Sequence, residues 1–307
     1  MTIIKLPNRI TDNFGDGLNH FFSILGKVQA VDKGEPITFD LSSCSFLTPF
    51  FLLPFFLLIK VESINREINL LPPNNPNLAS YLQFIHFNSG LQPENFAEGD
   101  YAILMNEYSK KTYIPLLDFP ADRLMNNSDI RDHFLSAINR LLSEQVQLTA
   151  QFKSAIMYLI DEAVNNIVDH SGENRGFVFA QFFPANGYLD VCVGDCGKTI
   201  LGSYQHTGKH AITTDKDALI SASKGLSTKN RPEAESRGFG ISTSLKMLTN
   251  GLNGKYSLLS GAAILIKTID RSEVVTIPKR LNWPGTIVCL RIPYLNSSNF
   301  NIADYYE

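Results

Sequence analysis

Between Phe46 and Ile59 the chain reads FLTPFFLLPFFLLI, a stretch without a single charge. A membrane-spanning helix needs about 20 apolar residues, and this run is shorter and carries Pro49 and Pro54. Its expected place is a core helix, or the first turns of one. Proline is tolerated in a first helical turn, so the helix starts at Thr48-Pro49 or at Leu53-Pro54. The rest of the chain can supply such a core. Of 307 residues, 44% are hydrophobic and 19% charged, which excludes global disorder. This length suggests two domains.

Lys plus Arg number 27 and Asp plus Glu 30, for a net charge of −3. A generally basic nucleic-acid binder is thereby disfavoured, and no nucleic-acid partner is expected. Cys44, Cys192, Cys196 and Cys289 form no C-x-x-C pair, so neither a zinc ribbon nor a disulfide scaffold is supported. Met1 to Phe14 holds no apolar core of a signal peptide. Reduced thiols in a cytoplasmic protein, with no membrane partner, are the expectation.

The chain divides into a small α/β segment over about 1–92, a junction at 93–127, and a second domain over 128–307. In the first segment, Pro36–Leu41 and Glu67–Leu71 read as strands and Leu78–Phe87 as a helix. Strand, helix, strand, helix suggests a parallel sheet. Ala102–Leu104 and Tyr113–Leu117 read as short extended pieces, and Phe119-Pro120 as a breaker. A helix capped by Ser128 or Asp129 should reach Glu144, and a second, capped by Thr149, should run to His170. Phe177–Phe183 and Leu189–Val193 make a hairpin across Pro184–Gly187. Residues 202–236 are polar and rich in Gly, Ser, Thr and Lys, which reads as loop. A helix opens at Gly238. Two late strand pairs are expected, Tyr256–Leu259 with Ala263–Thr268 and Val274–Ile277 with Thr286–Ile292.

The informative segment is Asp161–His170, DEAVNNIVDH. Glu162, Asn166 and His170 recur every four residues and share one helix face. Polar groups there are costly to bury without partners. Taken alone, the pattern reads first as a satisfied polar stripe. It is followed by Asp195-Cys196-Gly197-Lys198 after an apolar strand, where a carboxylate acceptor suits the exocyclic amine of a base. Arg237-Gly238-Phe239-Gly240-Ile241 then opens a helix, where glycines let backbone N–H groups approach phosphate. Trp283-Pro284-Gly285-Thr286 precedes the last strand.

In this order the four elements resemble the GHKL superfamily of gyrase, heat-shock-ninety, histidine kinase and MutL ATPases, over about 128–295. Glu162 and Asn166 match its E-x-x-x-N box. Asp195 and Gly197 match the first glycine box, Gly238 and Gly240 the second, and Gly285-Thr286 the last. The resemblance implies a two-layer sandwich of helices on a mixed sheet, with Mg·ATP under a mobile lid. It implies that Asn166 supplies an oxygen to Mg²⁺, since hard cations prefer oxygen. It further implies that Glu162 orients or deprotonates a nucleophile. Asp195 would accept from the adenine amine, Gly197 would leave room beside the base, and Gly238, Phe239 and Gly240 would line the phosphates. Thr286 would support the adenine through its hydroxyl. Lys224 and Thr228, in the run Lys224–Lys229 of the 202–236 lid, would reach the triphosphate. Thr199 stands where the family has its second glycine, which implies a stiffer lid hinge.

Other features carry plainer readings. His206 and His210 read as loop residues before a metal pair. Cys192 reads as strand packing and Cys196 as a thiol beside the nucleotide. His133 lacks the sequence context of a phospho-accepting histidine. The stretch Ile37–Thr48, at the centre of about 30–90, more faintly resembles the STAS domain of anti-sigma-factor antagonists, and Thr48-Pro49-Phe50-Phe51 departs from that family's phosphorylatable serine element. The fold class expected is therefore α/β (α+β): a STAS-like segment before a GHKL-type sandwich. Only 22 residues follow Gly285, so no transducer domain is expected. The reading nearest these features is an ATP-binding regulatory protein of the bacterial partner-switching type. It would be a protein serine/threonine kinase acting on an unidentified protein partner, and a homodimer is left open. A non-catalytic ATP/ADP sensor and a self-contained ATPase effector are the alternatives.

Overall fold

The computed structural model describes residues 1–11, 13–92, 106–121, 135–136, 139–140, 142–144, 149–172, 175–208, 210–226, 240–294 and 300–305. It belongs to the mixed α/β class, with one parallel and one antiparallel sheet.

The first sheet is built from β1 (Thr2–Lys5), β2 (Ile37–Asp40) and β3 (Ile68–Leu71), all parallel and in that order. The crossovers are α1 (Asp16–Gln29) and α2 (Pro49–Ser63), and α3 (Pro76–Phe84) follows. Consecutive right-handed crossovers put α1 and α2 on the same face. Of the two helix starts expected for the apolar run, Pro49 is the one used: it opens α2 behind Thr48, and Pro54 lies inside the helix. Ten consecutive residues, Pro49 to Leu58, are buried. A helix apolar all round must be enclosed, and α2 is, because it lies between the two sheets. Asn75 caps α3, its side chain accepting from the Asn77 and Leu78 amides.

The second sheet has β4 (Leu117–Pro120), β5 (Arg175–Phe183), β6 (Tyr188–Gly194), β7 (Lys255–Gly261), β8 (Ala263–Lys267), β9 (Ser272–Thr276) and β10 (Trp283–Pro293). Their order is β4-β5-β6-β10-β7-β8-β9. The expected β5–β6 hairpin forms across Pro184–Asn186 and Gly187. The expected pairing of Val274–Ile277 with Thr286–Ile292 does not. β9 pairs instead with β8, and β10 lies between β6 and β7. Burial explains this: β10 is buried along most of its length and needs two neighbours, while half-exposed β9 suits an edge. Phe119-Pro120, expected to break structure, closes edge strand β4, where a proline is tolerated. Its named strands pair antiparallel, and an isolated parallel bridge joins Leu91 to Leu117 of β4.

Strand alternation gives the sheet two apolar faces. Val178, Ala180, Leu189, Val191, Val193, Val288 and Leu290 pack with α4 (Ala150–His170). Phe177, Phe179, Cys192, Ile287 and Cys289 pack with α1 and α2. Helices therefore cover both faces, where the two-layer expectation had them on one. The second face also buries an ion pair. Arg291 donates to both Asp190 oxygens at 2.7 and 2.6 Å, with its guanidinium 3.9 Å from the Tyr188 ring centroid. No helix among the described residues is long and apolar enough to cross a membrane.

Candidate functional site

Thr149 caps α4 as its side chain accepts from the Phe152 amide. The helix buries Phe152, Ala155, Ile156, Leu159, Ile160, Ala163, Val164 and Ile167. Glu162, Asn166 and His170 lie half-buried along its flank. Glu162 Oε1 faces Gly240, where an added Cβ would sit 3.4 Å from it. Gly240 precedes α7 (Ile241–Lys246), which runs on into a π-helical turn at Met247–Gly251. Glu162 and Gly240, 78 residues apart in sequence, are thus neighbours. Burial pushes the Tyr256 hydroxyl up, and the Glu162 charge adds to that shift.

Asp195 follows the end of β6 and is 1% exposed. Its Oδ1 accepts from the Gly197 amide at 2.8 Å, a local Asx-type turn. Its own amide donates to the Thr286 carbonyl at 2.9 Å. Gly285 lies directly against it: φ is +89°, and a Cβ there would meet the Asp195 carbonyl oxygen, and Oδ1 at 2.7 Å. Only glycine satisfies both conditions.

Ser260 organises the same corner, and sequence reasoning missed it. Its hydroxyl donates to the Gly285 carbonyl at 3.0 Å and accepts from the Ile200 amide at 2.9 Å. It also lies 3.3 Å from Thr286 Oγ1. With the Ser260 proton committed to Gly285, Thr286 donates to Ser260 and retains its hydroxyl lone pairs as acceptors. Two buried serines, Ser257 and Ser260, in the strand segment SLLSG were the available signal.

The segment read as loop contains two helices, α5 (Ile200–Thr207) and α6 (Asp215–Ser223). Some of the residues that suggested loop, Gly208 and Thr214 among them, are caps of these helices. Thr199 Oγ1 accepts from Gly202 N at 3.0 Å, Thr214 Oγ1 accepts from Asp217 N at 3.1 Å, and Gly208 ends α5 with a left-handed φ. Thr199 therefore starts a helix. Asp215 fixes α6 to the β7–β8 turn, accepting from the Ala262 amide at 3.0 Å. Tyr204 fixes the end of the segment by donating to the Leu226 carbonyl at 2.5 Å. Exposed Lys224 follows α6, and a Cβ on the next residue, Gly225, would lie 3.6 Å from Ser242 in the first turn of α7. Lys224 is thereby brought beside the start of that helix.

Two groups of expected residues therefore assemble: Asp195, Gly197 and Thr286 at the sheet end, and Glu162, Gly240 and Lys224 around the start of α7. Asn166 sits one turn beyond Glu162 on α4. Thr228, Gly238 and Phe239 lie outside the described residues, as do His133, Ala102–Leu104 and the start of the helix expected from Ser128. The His210 ring packs edge-on to Tyr204 at 5.8 Å. Cys192 is fully buried, its Sγ 3.3 Å from that of Cys289, and Cys196 is half-buried. Compared with models of known protein families and with curated proteins, the chain matches none.

Proposed function

We propose that the chain binds Mg·ATP between α4 and the α5–α6 segment and uses it to act on a protein partner, as a serine/threonine kinase of the partner-switching type. The observation that carries this reading is the convergence at the sheet end. A buried carboxylate, a glycine against it and two linked hydroxyls come together from three distant stretches of chain. That set suits a purine amine. On α4 the Asn166 amide suits the ion, because it offers the hard oxygen that Mg²⁺ takes. Mg²⁺ would supply charge neutralisation of the phosphates.

In this reading Asp195 accepts from the adenine amine, and Gly197 leaves space beside the ring. Thr286 keeps an acceptor toward the base. Gly240 offers backbone to phosphate and Lys224 lies on the lid side; the same roles for Gly238, Phe239 and Thr228 come from the resemblance alone. Glu162 orients the attacking hydroxyl and takes its proton. The N-terminal STAS-like segment, packed through α1 and α2, carries partner recognition. The protein would be cytoplasmic.

Purified protein with γ-labelled ATP, with and without a serine-bearing partner, tests the reading. Labelled partner supports it. Glu162→Gln should then reduce transfer by about 10²–10⁴-fold while ATP affinity barely changes. Saturable ATP binding with neither transfer nor phosphate release would favour the sensor reading instead. The Thr199 cap is the observation on that side, because a helix start replaces a glycine hinge at the base of the lid.

A further inference from the structure

The base-recognising carboxylate is supported from the opposite face of the sheet. Trp283 begins β10, and the register of β10 against β7 shifts between Trp283 and Thr286. This irregular stretch wraps Asp195 on several sides. Thr286 accepts from its amide, Gly285 presses on its carbonyl and Oδ1, and the Trp283 indole Nε1 donates to its carbonyl at 3.3 Å. Trp283 is 1% exposed, and an indole N–H buried that deeply requires a partner. The Asp195 carbonyl is that partner. The bond ties the backbone of the acidic residue to a large ring that cannot move independently of its packing.

That packing comes from the N-terminal segment. The Phe21 ring on α1, fully buried, meets Trp283 edge-on with centroids 5.5 Å apart and planes at 76°. Leu281, two residues before Trp283, approaches Gly26 of α1, where a Cβ would stand 3.4 Å from it. On α2, Leu57 lies against Gly194, the residue just before Asp195. A Cβ on Gly194 would be 2.9 Å from Leu57 Cδ1.

We propose that Trp283, held by Phe21, is a positioning residue for Asp195. Through it, α1 sets how well the site distinguishes an amino-bearing purine, and nucleotide binding is felt at α1. The proposal rests on the assignment of Asp195 to the adenine amine. It predicts a selectivity effect in place of a uniform loss. Hypoxanthine carries an oxygen where adenine carries its amine, so IDP cannot donate to Asp195 at that position. Misplacing Asp195 therefore weakens ADP binding and leaves IDP binding almost unchanged.

The test is titration calorimetry of ADP and IDP into the full chain, Trp283→Phe and Phe21→Leu, with thermal unfolding of each. Trp283→Phe keeps a ring and removes the N–H donor. Losing one neutral hydrogen bond should lower ADP affinity about 2- to 10-fold, and the ADP/IDP ratio with it. Phe21→Leu, which leaves the donor in place, should move the ratio in the same direction by less. Trp283 is the single tryptophan, so saturating ADP should also change the intrinsic emission of the parent protein. Equal losses for ADP and IDP, or an unchanged ratio in both variants, would overturn the positioning role. A parent protein that binds ADP and IDP equally would overturn the adenine assignment itself, and that result is read without any variant.

Discussion

Replacing Gly285 with alanine should be among the most damaging single-methyl additions in the protein. Two separate penalties meet there. The φ of +89° lies in the left-handed region, where a side chain costs about 1–2 kcal/mol. The new Cβ would also meet the Asp195 carbonyl oxygen, with Oδ1 at 2.7 Å and the carbonyl carbon at 2.8 Å. Those atoms cannot easily retreat. The Asp195 amide is bonded to Thr286 at 2.9 Å and its carbonyl to Trp283 at 3.3 Å. Overpacking of this kind costs about 1–3 kcal/mol. The sum is about 2–5 kcal/mol, a large share of the 5–15 kcal/mol typical of a folded domain. Gly34 supplies the control. Its φ is +81°, yet nothing lies within 4 Å of an added Cβ, so Gly34→Ala isolates the backbone term. Urea unfolding with a constant m-value measures both. Equal destabilisation of Gly285→Ala and Gly34→Ala would refute the close packing of Gly285 on Asp195.

Asp190→Ala should cost about 3–5 kcal/mol in the same assay, because it leaves the Arg291 guanidinium buried against Tyr188 and Phe50. Adding Arg291→Met should restore most of that loss, and no recovery would show that the pair is not the cause. At pH 8 an aromatic disulfide reagent should modify Cys196 first. Burial pushes the Cys44 thiol up to about 11 and raises Cys192 as well, so little reactive thiolate forms at either, and Cys289 is buried. ADP should slow the Cys196 reaction, and rapid modification of two or more native thiols would count against this packing.

Local patterns were legible where one side-chain period dominates. The helix ending at His170, the hairpin across Pro184–Gly187 and the parallel strands Ile37–Asp40 and Ile68–Leu71 follow from spacing and caps. The placement of β10 did not, because adjacency in sequence suggested pairing with β9. The deciding quantity was burial on both faces, which Cys289 and Leu290 share with their cross-strand neighbours. Thr214, inside the stretch read as loop, misled in another way: threonine marks loops and helix starts alike, and here it starts a helix. Helix α1 was missed although Leu18, Phe21, Ile24, Leu25 and Val28 mark its face, since Gly15 at its start offers no capping side chain. Glu162, Asp195 and Thr286 were picked out from their motifs, and the structure places Glu162 beside Gly240 and Asp195 beside Thr286. Ser260 and Trp283 were not marked as site residues, because their role is to hold those residues from another strand or the far side of a turn.

The central claim is the pairing of Asp195 with an adenine amine. Titration calorimetry of Mg·ATP into the parent chain and Asp195→Asn measures it. The substitution keeps the side chain's shape while replacing one acceptor oxygen with a donor. Saturable binding to the parent, weakened by about 1–3 kcal/mol in Asp195→Asn, is the expected result. Equal ATP affinity in the two proteins, or no binding to either, would contradict it.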